Sequence, residues 1–139
     1  MPSDPSEVDA AIVATLSGDA TLMALLTDGV FVDVSPSGKT AFALVSLISH
    51  EDLYIFNGSA FERSIYLIKA VVQSGTGTTA KTAAARIHAL LQDVALTITG
   101  YAHALTRRVE RVRMTEVDDL NQDLRWQHRG GRYELMVSP

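Results

Sequence analysis

The sequence predicts an α+β fold in which a mostly antiparallel β-sheet carries two main helices on one face. Helical apolar spacing occurs at the start of the chain and again after residue 77, whereas β-prone apolar segments fill most of the remainder. Short connections between neighbouring strands favour antiparallel pairing. The 139 residues, 47% hydrophobic and 20% charged, suit a single globular domain spanning residues 1–139.

The chain opens with two predicted helices. The segment DPSE (residues 4–7) starts the first one, because its Asp can accept hydrogen bonds from the first amides and its Glu occupies the capping-box position. Gly18 ends this helix. Asp19 is the predicted cap of a second, shorter helix that ends at Asp28-Gly29.

Three β-prone segments follow the helices. The run from Val30 to Val34 is short, whereas Ala41–Ile48 has the pattern of a buried strand. Ile65–Val72 is strongly apolar and β-branched, as expected of a core strand. Asn57-Gly58 marks a turn between the last two segments.

The loop GTGTTAKT (residues 75–82) is one residue short of a phosphate-binding P-loop, because Ala80 stands where the pattern has glycine. A nucleotide-binding fold also needs a magnesium-binding acid after a neighbouring strand and several parallel βαβ units. The sequence supplies neither. We therefore favour a flexible connection in which Thr78 or Thr79 caps the following helix, with Lys81 and Thr82 in solvent.

The C-terminal half contains the clearest helix and the remaining strands. The helical pattern covers residues 78–93, with an apolar face formed by Ala83, Ile87, Leu90, Leu91 and Val94. Leu96-Thr97-Ile98 is predicted to be a short extended segment. Residues 101–116 alternate weakly, and the cluster from Asp118 to Asn121 forms a turn. The last strand covers residues 123–137, with Gly130-Gly131 as a bulge or tight bend.

The residues that could catalyse a reaction or bind a metal do not predict an enzyme. The chain has no cysteine, so disulfides and Cys-based zinc sites are excluded. Its four histidines lack the three- or four-residue spacing that favours chelation on a helix, and no Gly-x-Ser-x-Gly elbow occurs. Asp118, Asp119 and Asp123 are interpreted as a solvated turn rather than a cation site. We expect no cofactor and no metal.

The sequence predicts neither a signal peptide nor a membrane span. The first basic residue is Lys39, whereas a secretory signal needs basic residues before its apolar core. No apolar run approaches the ~20 residues of a spanning helix. A cytoplasmic origin is therefore the expectation.

Charge is distributed unevenly along the chain, whose net charge is −4. Residues 1–62 carry nine acids and one base, a net charge of −8, and residues 63–139 carry eleven bases and seven acids, a net charge of +4. A net acidic chain argues against a dedicated nucleic-acid binder. Two faces of opposite charge suit a subunit that binds the back of the next copy.

The basic run RRVERVR (residues 107–113) is the densest charge feature. If the run is a regular strand, Arg107, Arg111 and Arg113 share one face and Arg108 shares the other with Glu110. Three arginines in a row can bind phosphates or the carboxylates of a partner protein. The alternative is a solvated sheet face, partly neutralised by acidic side chains such as those of Glu116 and Glu134.

The segment EDLYIFNGSAF (residues 51–61) is unusually apolar for a connection. Its large side chains include those of Tyr54, Phe56 and Phe61. Exposed aromatic residues on a connection indicate contact with a partner. The alternative, a further hairpin packed on the chain's own core, stays open at this stage.

Taken together, the segments resemble the tail-terminator, or tail-completion, family of long-tailed bacteriophages and phage-like gene transfer particles. The segment VDAAIVATLSGDATLMALL resembles the opening helix of the family. The segment VFVDVSPSGKTAFALVSL resembles the extended segment and first long strand that follow it. The segment SIYLIKAVVQSGTGTTAKTAAARIHALL resembles the family's central strand, loop and helix. The segments LTITGY and LRWQHRGGRYELMV resemble the end of the family's chain. The resemblance spans roughly residues 6–137 and depends on element order rather than on one motif.

The resemblance implies an α/β subunit that assembles into a ring, typically a hexamer. Such a ring caps the head-proximal end of the tail tube, stops tube growth and offers a docking face to the head connector, or stopper, protein. The implied partners are other copies of the chain, the tail tube protein, the connector and DNA passing through the lumen. The implied location is the neck region of the virion tail, and the host cytoplasm during assembly.

Under this resemblance Arg107, Arg111 and Arg113 face either the lumen or an acidic neighbour, and Tyr54, Phe56 and Phe61 belong to an interface. The family has no catalytic residues to transfer. Three alternatives remain: another neck or head–tail joining ring subunit, a nucleotide-binding protein that uses the 75–82 loop, and a non-specific DNA-binding module.

Overall fold

The computed structural model describes residues 6–56 and 58–138. Within them, eight elements follow one another: α1 (Ser6–Ser17), α2 (Ala20–Leu25), β1 (Val30–Val32), β2 (Ala41–Ile55), β3 (Gly58–Gln73), α3 (Thr78–Leu91), β4 (His103–Val117) and β5 (Arg125–Ser138). The strands form one sheet in the order β1-β2-β3-β5-β4. Only the short β1–β2 pair is parallel in this described sheet. The predicted α+β fold with a mostly antiparallel sheet is confirmed.

The N-terminal helices begin and end largely as predicted. Helix α1 stops before Gly18, whose amide donates to the Ala14 carbonyl at 3.0 Å. Asp19 caps α2 by accepting a hydrogen bond from the Leu22 amide at 2.9 Å, and its carboxylate also accepts two hydrogen bonds from Arg86 of α3. One side chain therefore caps α2 and ties it to α3. The predicted capping residue of α1, Asp4, lies outside the described residues.

Strands β2 and β3 form one long hairpin, and each is about twice as long as predicted. Their inner halves match the predicted segments 41–48 and 65–72, where alternate side chains are buried against the helices. Their outer halves carry polar and exposed residues, so the burial pattern that identifies a strand is lost there. Strand β1 is shorter than predicted, because Asp33 adopts a φ of 66° and the next residue, Val34, is exposed. The predicted turn residue Asn57 lies outside the described residues.

All three helices pack on one face of the sheet, the helix face. Tyr66 of β3 and Tyr133 of β5 are fully buried there, and the Tyr66 hydroxyl donates to the Asp9 carboxylate of α1. Burial and this contact raise the pKa of Tyr66. The rest of the core includes Val8, Ile12, Leu16, Leu22, Ile68, Ile87, Leu91 and Leu135. None of the helices among the described residues is long and apolar enough to cross a membrane.

The connections around α3 differ from the prediction. Gly77, not a threonine, occupies the N-cap position of α3 and provides no side-chain hydrogen bond. A Cβ at Gly77 would lie 2.7 Å from Nη2 of Arg129, so a glycine here leaves room for that guanidinium. Strand β3 pairs antiparallel with both of its neighbours. The 75–82 loop therefore lacks the parallel βαβ setting of a P-loop. Residues 96–98 form no strand, although Leu96 and Ile98 are buried.

Candidate assembly surfaces

A β-bulge divides the arginines of β4 between the two faces of the sheet. In the β4–β5 ladder Arg108 pairs with Tyr133 and Glu110 with Arg132, which leaves Val109 as an extra residue. Beyond the bulge the alternation changes phase. The prediction that Arg107, Arg111 and Arg113 share one face is therefore wrong.

The register places each arginine. Arg111 and Arg113 lie opposite Gly131 and Arg129 of β5, on the same helix face as Arg108 opposite the buried Tyr133. Arg107 lies opposite Glu134, on the uncovered face of the sheet. The bulge thus brings three arginines of β4 to the side of the sheet where α3 lies.

The glycine pair in β5 accommodates this irregularity without bulging itself. Its register with β3 runs without interruption through Gly130 and Gly131, which corrects the predicted bulge or bend at these residues. A Cβ at Gly131 would lie 2.6 Å from the Glu110 carbonyl oxygen, and a Cβ at Gly130 would lie 2.2 Å from the Ile68 carbonyl oxygen. The glycines therefore allow close approach of both neighbouring strands at the point where β4 bulges.

Helix α3 and strands β4 and β5 enclose a basic cleft of about 510 Å³. Ala84 and Ala85 of α3 supply its apolar part, and Val112 and Gly130 of the strands also border it. Its polar lining consists of Lys81, His88, Arg108, Arg111, Arg113 and Arg129. Five permanently cationic side chains thus border one cleft whose lining, in the part of the chain the structure describes, includes no acid.

The charges of the basic cleft are not neutralised from within. None of its five cations forms a salt bridge with another of the described residues. The buried Nε of Arg129 has no hydrogen-bond partner among them either. Burial lowers the pKa of His88, and the positive charges of Arg108 and Arg111 lower it further. The cleft is therefore electrostatically suited to an oxyanion.

Arg107 belongs to a different arrangement on the uncovered face. Its guanidinium binds the Glu134 carboxylate at 3.1 Å, and Arg63 binds the other oxygen of Glu134 at 2.9 Å. Arg63 also binds Glu51 at 2.8 Å, and these contacts raise the pKa of Arg63. On the uncovered face, acidic and basic side chains therefore alternate from β2 through β3 and β5 to β4. For Arg107 the structure thus matches the alternative of a sheet face paired with Glu134, whereas Arg111 and Arg113 do not share that face.

The segment 51–61 is here called the hairpin arm, and its described residues, 51–56 and 58–61, belong to the outer part of the β2–β3 hairpin. It is a hairpin, as one alternative predicts, but its aromatic residues do not pack into the core. Tyr54 is 74% exposed, Phe56 is fully exposed and Phe61 is 46% exposed. The first residue of β3 that pairs with β5 is Glu62, so the arm extends past the neighbouring strand.

One group of metal-ligand residue types lies at the base of the arm. Ligand atoms of His50, Asp52 and Glu62 lie within 4.8 Å of one another, and Glu62 is buried. His50 Nδ1 is already within 2.7 Å of the Ser64 hydroxyl.

The acidic turn that follows β4 is held by Asp118, whose carboxylate accepts backbone hydrogen bonds from residues 120 and 121. This is expected of a structural turn.

Sequence reasoning missed the basic cleft because its residues come from three elements. Lys81 is exposed, as the sequence predicts, but nothing in the sequence indicates that it borders a cleft. The sequence also predicts Arg108 on the opposite face from Arg111, and Arg129 has no signal of its own. The Gly130-Gly131 pair was the one local signal of an irregularity. The irregularity does lie at this level of the sheet, but it is a bulge in β4 and not in β5.

Several solved structures share the fold, and two of them match over essentially their full length. A chain of the structure described as the virion of a native gene transfer agent (GTA) particle has a TM-score of 0.70 and 22% identity, with 100% of both chains covered. A second solved structure has a TM-score of 0.62 and 14% identity, covering 99% of this chain and 98% of its own. No family model matches the sequence, and no curated protein sequence matches it. The chain thus shares its whole fold with a chain of a gene transfer agent virion.

Proposed function

We propose that this chain is a structural subunit of a phage-like virion, with no enzymatic role. The observation that carries this proposal is the match of the entire fold to one chain of a gene transfer agent virion, without an unmatched region in either chain. The match is informative because it covers all of both compared chains and not only a common core.

Within the virion, we propose that the chain is the tail terminator. Copies of it form a ring, typically a hexamer, at the head-proximal end of the tail tube, where the ring stops tube growth and binds the head connector. The sequence resemblance to tail-completion proteins supports this position. Two surfaces support assembly, because a ring needs two different patches on each subunit. One is the basic cleft, and the other is the hairpin arm with its exposed Tyr54 and Phe56.

Polymerisation of the tail tube protein of the same particle tests the proposal. Tubes grown alone have unlimited length, and addition of this chain is expected to arrest growth and to leave a ring visible by electron microscopy at one end of each tube. Tube growth that is unaffected by this chain would contradict the terminator role. Binding to isolated heads but not to tubes would assign the chain to the connector side of the neck instead.

A further inference from the structure

We propose that the basic cleft of one copy of this chain receives the hairpin arm of a second copy. The inference rests on the proposed ring-forming role and names the contact that builds the ring. The basic cleft has five cations without salt-bridge partners among the described residues, and the arm has exposed aromatic residues beyond the sheet.

The chemistry of the arm complements that of the cleft. Residues 51–61 contain two acids and no base. Glu51 already binds Arg63 of its own subunit, whereas Asp52 is exposed and forms no salt bridge with another described residue. Carboxylates bind guanidinium groups through strong charge-assisted hydrogen bonds. Aromatic rings such as those of Tyr54 and Phe56 stack on arginine and fit beside apolar walls. The cleft offers arginines together with Ala84 and Ala85.

The arm cannot fill the cleft of its own subunit. In the register of β3 and β5, the cleft residues Arg129 and Gly130 lie beside Ala70 and Lys69. The distance along β3 from Phe61 to Lys69 is about 26 Å, at about 3.3 Å per strand residue. The contact must therefore join two copies. Because the arm and the cleft are different patches, the contact is head-to-tail and closes into a ring when the rotation allows it.

The opposite charges of the two parts of the chain favour a second copy over DNA as the occupant. Residues 1–62, which contain the whole arm, carry a net charge of −8, and the cleft lies entirely in the basic remainder. DNA phosphates would be repelled by the net negative charge of the whole subunit, whereas an acidic arm complements the cleft locally.

A mixing experiment with two variants tests the contact by native mass spectrometry. The cleft variant is Arg111→Glu/Arg113→Glu, the arm variant is Tyr54→Ser/Phe56→Ser, and Arg132→Glu on the uncovered face is the control. We expect the wild type and the control to form multimers and each variant to be monomeric, with its association weakened at least about 100-fold. An equal mixture of the two variants should form one-to-one heterodimers, because one intact arm meets one intact cleft.

Engineered cysteines provide a second measurement that does not depend on charge reversal, since the chain has no cysteine of its own. Phe56→Cys in one copy and Ala85→Cys in another should form a disulfide-linked dimer. Phe56→Cys with Ala14→Cys, on the exposed surface of α1, should form little.

A cleft variant that assembles like the wild type, a mixture that stays monomeric, or a monomeric wild type would overturn the inference. Duplex DNA that binds the wild type but not the cleft variant, while self-association persists, would instead assign the cleft to phosphates. Rings that persist in the cleft variant and still cap tubes would leave the proposed function intact. If the two variants form heterodimers but the wild type does not cap tubes, only the proposed function would be contradicted and the inferred contact would stand.

Discussion

At the scale of single residues, Gly130 is the described glycine with the least room for a Cβ. A Cβ there would lie 2.2 Å from the Ile68 carbonyl oxygen and 2.5 Å from Lys69 Cα, and both are backbone atoms that cannot rotate away. We expect Gly130→Ala to lower the free energy of unfolding by at least about 2 kcal/mol in urea denaturation. Gly75→Ala is the matched control, because nothing lies within 4 Å of its Cβ, and it should change stability by less than about 0.5 kcal/mol. Equal effects of the two substitutions would contradict the close strand approach.

Asp19 links stability to pH through its contact with Arg86. That hydrogen bond, together with the one from the Leu22 amide, lowers the pKa of Asp19 from 3.8 to about 2. A carboxylate with a depressed pKa in the folded state stabilises fully above its unfolded pKa, and this stabilisation is lost as the pH falls through the folded value. The wild type should therefore lose more stability than Asp19→Asn between about pH 4 and pH 2. Chemical denaturation at several pH values measures this, and parallel pH profiles would contradict the ion pair.

At the scale of elements, the β4 bulge determines which arginines face α3. Since Arg111 lowers the pKa of His88, Arg111→Gln should raise that pKa, as measured by NMR titration of the imidazole. Arg132→Gln, on the uncovered face, should leave it unchanged. An unchanged pKa in Arg111→Gln would show that Arg111 does not point into the basic cleft.

The hairpin arm is expected to contribute to assembly and not to folding. Phe56 is fully exposed, so Phe56→Ser should change the free energy of unfolding by less than about 0.5 kcal/mol. Leu135→Ala removes a fully buried side chain and should cost about 2–5 kcal/mol. Thermal or urea unfolding of both variants checks this contrast. A large loss of stability in Phe56→Ser would mean that the arm packs on its own subunit.

The elements that the sequence predicts well are those whose pattern is set by burial. Helix α3 and the inner halves of β2 and β3 bury alternate or periodic side chains, and their types were predicted correctly. Local pattern could not predict the bulge at Val109, because an extra residue changes no hydrophobic period within an arginine-rich strand. It also could not predict the basic cleft, which exists only once Lys81, Arg111 and Arg129 meet across three elements.

At the scale of the whole molecule, charge is expected to drive assembly. The contact between an acidic arm and a basic cleft is screened by salt when it is solvent-exposed. Native mass spectrometry or light scattering across a series of salt concentrations should therefore show multimers that dissociate as ionic strength rises. A multimer mass that is indifferent to salt would contradict the charge-based contact.

The proposed function puts a ring of this chain between the tail tube and the head of the particle. A cryo-electron microscopy map of the virion that contains the chain tests this position. We expect a closed ring of identical subunits at the head-proximal end of the tube, into which this fold fits with the hairpin arm of each copy against its neighbour. Density for this fold elsewhere in the particle, or its absence from the neck, would contradict the account.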